Sequence, residues 1–154
     1  MNIKDTIKAK GHLKITIRDK ESGEIKRVHE YDNLICTVGK TMIANNLTSG
    51  SPDNTMVINY VALGSDGTSP AAGDTTLGTE VYRNTVASET NANNVAYITG
   101  FFDATETTGT YLEAGLFSDG GAGADTGVLV SHVNINVTKS NTETLTIDWT
   151  ITIS

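Results

Sequence analysis

The last eleven residues of the chain constrain its fold more than any other stretch. Leu145, Ile147, Trp149, Ile151 and Ile153 alternate strictly with Thr146, Asp148, Thr150 and Thr152. A period of two over nine residues describes a β-strand with one buried and one wet face, and it cannot sit as a helix. The same pattern opens the chain: Leu13, Ile15 and Ile17 alternate with Lys14, Thr16 and Arg18. A turn through Lys20–Gly23 and a second strand around Ile25–Tyr31 complete a predicted hairpin.

The middle of the chain predicts further strands at Val57–Leu63, Val81–Ser88, Val95–Phe102, Tyr111–Phe117 and Val128–Val137. Thr, Asn, Gly, Val and Ile dominate, and β-branched side chains suit a pleated surface better than a helix. Only Lys40–Leu47 reads as a helix, with Met42, Ile43 and Leu47 on one side; a second helical turn is expected at Thr75–Glu80, capped by Asp74. About eight short antiparallel strands predict an all-β fold, a β-sandwich or jelly-roll-like single domain with one short helix. The expected organisation is an N-terminal arm over residues 1–10 and one β-sandwich domain over 11–154. With 154 residues, a chain of this size buries about 70% of its unfolded surface and builds a core without staples.

Composition excludes several classes. One cysteine, Cys36, rules out an intramolecular disulfide framework and a cysteine-based zinc cluster; it lies in an apolar stretch and reads as a buried thiol. No apolar run reaches the roughly 20 residues of a membrane helix, and the N-terminus lacks the apolar region of a signal peptide. The net charge of -7 is unevenly placed. Residues 1–31 carry +3, including Lys4, Lys8, Lys10 and Lys14, and the remainder carries -10. These four lysines are candidate assembly contacts with acidic neighbours, while phosphate would be repelled by the acidic body, so nucleic acid is not an expected partner.

Chemistry-bearing patterns are weak. Val38-Gly39-Lys40-Thr41 matches the end of a phosphate-binding loop, but Leu34 stands where the first glycine is required. His12, His29 and His132 share no metal-ligand spacing, although His12 and His29 could face each other across the first hairpin. The Asp-bearing loops 64–74 and 118–127 lack the acid spacing of a calcium loop and read as flexible hairpin tips. No nucleophile elbow occurs, and no carboxylate pair is singled out. The expectation is therefore no catalytic residue, no metal and no cofactor. Trp149 belongs to the inward set of its strand, which leaves a carbohydrate-binding module, needing exposed aromatics, as a distant alternative. Glu113 lies beside Gly115, and a structural ion pair with Lys139 or Arg83, rare cations in the acidic body, is expected; two unrelated surface charges are the other reading.

Several phrases occur in a telling order: Ser22-Gly23-Glu24, Asn33-Leu34-Ile35 followed by Gly39-Lys40, Tyr60–Gly64, Thr75–Arg83, Glu113-Ala-Gly-Leu-Phe117, and Lys139 before the last strand. This succession resembles a family of small virion structural proteins of tailed bacteriophages, and the Glu113–Phe117 phrase is similar to one in tail-fibre attachment domains. The resemblance implies a β-rich, non-enzymatic protein located in the virion. Its implied partners are other virion proteins, either the major capsid protein or tail and baseplate proteins, in a homo-oligomer or multi-copy lattice. A capsid decoration or cement protein is the expected role, with a tail, collar or baseplate/fibre-attachment part as the alternative.

Overall fold

The computed structural model describes residues 6–48 and 56–154. Its strands are β1 (Ala9–Asp19), β2 (Ile25–Ile35), β3 (Ile58–Gly64), β4 (Glu80–Thr85), β5 (Ser88–Ala92), β6 (Val95–Phe102), β7 (Gly109–Ser118), β8 (Val128–Lys139) and β9 (Glu143–Ile153), with one helix, α1 (Thr37–Asn46), after β2. All nine strands join one antiparallel sheet in the order β4-β3-β7-β8-β2-β1-β9-β6-β5. The protein is all-β with one short helix.

The sheet curls because β2 changes partners. From Ile25 to Asn33 it pairs with β1, and only Leu34 and Ile35 reach β8. Half of the sheet, β5-β6-β9-β1, therefore faces the other half, β8-β7-β3-β4, across a common core. Leu13, Ile15 and Ile17 of β1, Leu145, Ile147 and Trp149 of β9, Val61 and Leu63 of β3, and Val133, Ile135 and Val137 of β8 fill it. Each such side chain contributes about 1.5–3 kcal/mol by leaving water. At Gly100 the halves approach closely: a Cβ there would lie 2.8 Å from Val61 Cγ2. At the same seam Tyr82 packs edge-on against Phe102, with ring centroids 6.2 Å apart.

A smaller apolar cluster lies on the outer face of the second half. Cys36, Ala62, Leu77, Phe117 and Leu129 form it, with Val38 and Tyr60 packed alongside. Helix α1 covers part of this face. Gly39, expected just before the helix, lies inside it, because a Cβ there would come within 2.9 Å of the Val130 carbonyl of β8. Cys36 is the helix N-cap residue and is fully buried, and burial pushes its thiol up to about 11.

Three sequence expectations are corrected. Residues 75–80 form no helical turn; the segment is irregular until β4 begins. Val81–Ser88, expected as one strand, divides: β4 ends at Thr85 in the opposite half, and Ser88 opens a strand of its own, β5, which forms a hairpin with β6. The arm ends earlier than residue 10: Ala9 and Lys10 pair with Ile153 and Thr152, and the Lys8 and Ser154 backbones bond each other.

Candidate functional site

The 65–79 connection between β3 and β4 folds back over the outer face of β7 and β8. Beneath it lies a cleft of about 310 Å³, lined by Asp66, Thr68, Asp74, Thr76, Glu113 and His132 among others. Along β7, Glu113, Gly115 and Phe117 share the outer face, and on β8 His132 stands opposite Gly115. Glu113 is therefore buried on a sheet face that the loop closes, with a relative exposure of 1%.

A buried carboxylate needs donors for its lone pairs. Glu113 Oε1 accepts from the backbone N–H of Thr79 (2.7 Å) and Asp66 (3.3 Å). Its Oε2 accepts from the N–H of Gly78 (2.9 Å) and faces His132 Nε2 at 2.9 Å. The other ring nitrogen, His132 Nδ1, lies 2.9 Å from Asp74 Oδ2. An ionised carboxylate only accepts, so the bridge is complete when both ring nitrogens carry protons. The Ala71 N–H bonded to Asp74 is the main influence holding that carboxyl below its ordinary value, with His132 assisting. Asp66 is lowered chiefly by the Thr68 hydroxyl. The helical turn expected at Thr75–Glu80 is absent for this reason: Gly78 and Thr79 direct their N–H groups at Glu113 instead of along a helix.

The second Asp-bearing loop is fixed in the same way. Arg83, on β4, donates to both oxygens of Glu80, with Nη2 to Oε2 at 2.7 Å. Its Nη1 donates to the Gly121 and Thr126 carbonyls, each at 3.0 Å. The guanidinium also lies 4.5 Å from the Phe117 ring centroid and 5.2 Å from that of Tyr60. Asn59 adds a reciprocal pair to Gly120, 2.9 Å in each direction, and the Asp125 N–H donates to Glu80 Oε2 at 3.0 Å. Loops 65–79 and 118–127 are thus held by buried ionic groups, which corrects their reading as flexible tips.

The expected pairing of Glu113 with Lys139 or Arg83 is not found. Lys139 stands opposite Gly109, five residues along β8 from Asn134, the residue opposite Glu113; that is about 17 Å of strand. Arg83 lies in the row Arg83–Ala62–Gly115, two strands from Glu113, and turns to Glu80. Lys139 is nonetheless buried, donating its Nζ to the Thr107 carbonyl at 2.8 Å. Burial lowers its pKa, opposed by the charges of Asp103, Glu106 and Glu143. The reading of unrelated surface charges also fails, since all three groups are inside.

Of the candidate assembly lysines, Lys4 lies outside the described residues, whereas Lys8, Lys10 and Lys14 are exposed. Lys14 stands between Glu30 of β2 and Asp148 of β9, so it is flanked by carboxylates, whereas Lys10 stands opposite Thr152. His12 and His29 do not face each other. His12 Nδ1 pairs with Asp32 at 3.0 Å, while His29 points to the opposite side of the hairpin and stacks on Tyr31.

Chemically, the cleft offers a filled carboxylate and a histidine whose two nitrogens are engaged. Each ring nitrogen already faces a carboxylate oxygen at 2.9 Å, Nδ1 that of Asp74 and Nε2 that of Glu113. Among the described residues no group of three His, Cys, Asp or Glu side chains could hold a metal ion. Trp149 is buried in the core, at 1% exposure. Sequence reasoning missed His132 as the partner of Glu113. The available signal was that each interrupts an apolar strand, Leu112–Phe117 and Val128–Val133. Comparison with protein-family models, curated proteins and solved structures gives no match.

Proposed function

We propose that the chain is a non-enzymatic bacteriophage virion structural protein, a decoration or cement protein that binds the capsid surface in many copies. The observation that carries the non-enzymatic part is the use of the buried ionisable groups. Glu113, His132, Glu80 and Arg83 fasten two surface loops to a rigid sheet, which suits a docking platform better than a reaction centre. The order of phrases from Ser22 to Lys139 supports assignment to a tailed-phage particle. Binding the assembled lattice and not its dissociated subunits would stabilise the particle by mass action, and many weak contacts would add through avidity.

Quantitative gels of purified virions test the reading. Hundreds of copies per particle are expected. A few to dozens would move the protein to the tail, collar or baseplate, a location favoured by the Glu113–Phe117 phrase, and absence from the particle would overturn the proposal.

A further inference from the structure

The sheet has two terminal strands, and they differ in what covers them. β4 is turned toward β6: Tyr82 packs on Phe102, and Asn84 Nδ2 donates to the Phe101 carbonyl at 2.9 Å. β5 pairs with β6 on one side only, and all five of its residues, Ser88–Ala92, are exposed. Among the described residues nothing pairs with its outer edge. The strand holds no proline or lysine; its one charge, Glu89, is the edge-guarding group that any pairing must accommodate.

The direction of the free backbone groups follows from the hairpin. β5 and β6 are joined by the two-residue turn Asn93–Asn94, with Asn93 at φ 54°. In such a hairpin the flanking pair, here Ala92 and Val95, exchanges both backbone hydrogen bonds, and the exchange recurs at every second residue. Thr90 therefore bonds inward to Tyr97, while Glu89 and Asn91 turn their N–H and C=O groups outward.

We propose that β5 pairs edge to edge with β5 of a second copy of this chain, antiparallel about a twofold axis through Thr90. This register sets Glu89 opposite Asn91 of the second copy, and Asn91 opposite its Glu89. Both are hydrogen-bonded pairs, giving four backbone bonds across the junction. The side chains are complementary as well, a carboxylate acceptor beside an amide donor, with no like charges opposed. On the other face Thr90 meets Thr90 of the second copy, beside Tyr97, which is 42% exposed. Edge addition of this kind draws affinity from main-chain bonds and specificity from alternate side chains. The pairing goes beyond the particle reading, since it is a property of the isolated chain and is measured without a virion.

Sedimentation equilibrium of the purified protein up to about 1 mM tests the inference. A monomer–dimer equilibrium is expected. Asn91→Lys places a cation opposite Glu89 in both symmetry-related pairs and should tighten the dimer; Asn91→Glu opposes two carboxylates and should weaken it. Each change is expected to move the dissociation constant about 2- to 30-fold, the factor for two cross-strand pairs. Asn91→Pro removes an outward N–H and should abolish pairing, with far-UV circular dichroism verifying the fold of all three variants. A protein that stays monomeric throughout, or a dimer that Asn91→Lys and Asn91→Glu leave unmoved or move in the same direction, would overturn the proposal.

Discussion

Glu113→Gln isolates the role of the buried carboxylate because it keeps the side chain's shape and removes one acceptor. The two oxygens share four donors: Thr79 N and Asp66 N at Oε1, Gly78 N and His132 Nε2 at Oε2. An amide nitrogen in either place faces two of them. At the Oε2 position His132 can give up the Nε2 proton and accept from the amide, which leaves only the Gly78 N–H unmet. At the Oε1 position two backbone donors are stranded, so the first orientation costs less. An unmet buried donor costs about 1–3 kcal/mol, and the lost charge-assisted bond to His132 about 1.5–3 more. The sum, about 2.5–6 kcal/mol, brackets the usual cost of about 3–5 kcal/mol for breaking a buried ion pair.

A domain of this kind is stable by about 5–15 kcal/mol, so the change is large. Urea unfolding should show a lower midpoint at unchanged slope, with Tm reduced by roughly 5–24 °C. Hydrogen exchange should localise the effect, with the Gly78 and Thr79 amides losing protection before the strands. A loss below about 1 kcal/mol, with those two amides still protected, would refute the reasoning.

Other perturbations probe other parts of the structure. Arg83→Met removes every bond to Glu80, Gly121 and Thr126 and should cost about 3–5 kcal/mol by chemical denaturation, with Arg83→Lys costing less because it keeps the charge but not the fork. Gly100→Ala drives a methyl against Val61 where the two halves of the sheet meet and should cost about 1–3 kcal/mol, read from the urea midpoint. The Arg27 guanidinium, bonded at 3.0 Å, is the main cause of a Glu143 carboxyl lowered from 4.5 to about 2. A depressed folded value stabilises above the unfolded value and is lost as pH falls, so this contribution should fade from pH 4.5 down through about 2, and Glu143→Gln should flatten the acid limb of a stability–pH curve. Removing residues 1–7 should leave the urea midpoint nearly unchanged, whereas removing 1–10 takes away the Ala9 and Lys10 ladder pairs and should lower it measurably.

Much of the fold was legible because β1 and β9 advertise a period of two. Trp149 was placed in the core with Leu145, Ile147 and Ile151 on that pattern alone, and all four are there, whereas Ile153, the last of the alternating set, is exposed. β5 escaped notice because Ser88–Ala92 has no buried face and hence no hydrophobic alternation to read. The Thr75–Glu80 error has a different origin. Local propensity favours a capped turn there, but a carboxylate 34 residues ahead of Thr79 collects the N–H groups that a helix would need. Glu113 was singled out as one half of a structural ion pair, yet its partner was not identified, because strand register and not sequence spacing decides which side chains meet. Lys139 and Arg83 were nearer in charge logic, and His132 was nearer in space.

The particle reading is tested most directly by imaging the purified virion and locating this chain in the density. The account predicts many symmetry-related copies on the capsid surface, each an ordered nine-stranded β-domain with loops 65–79 and 118–127 in fixed conformations. Density confined to the tail would relocate the protein. A particle with no copy of it would contradict the account.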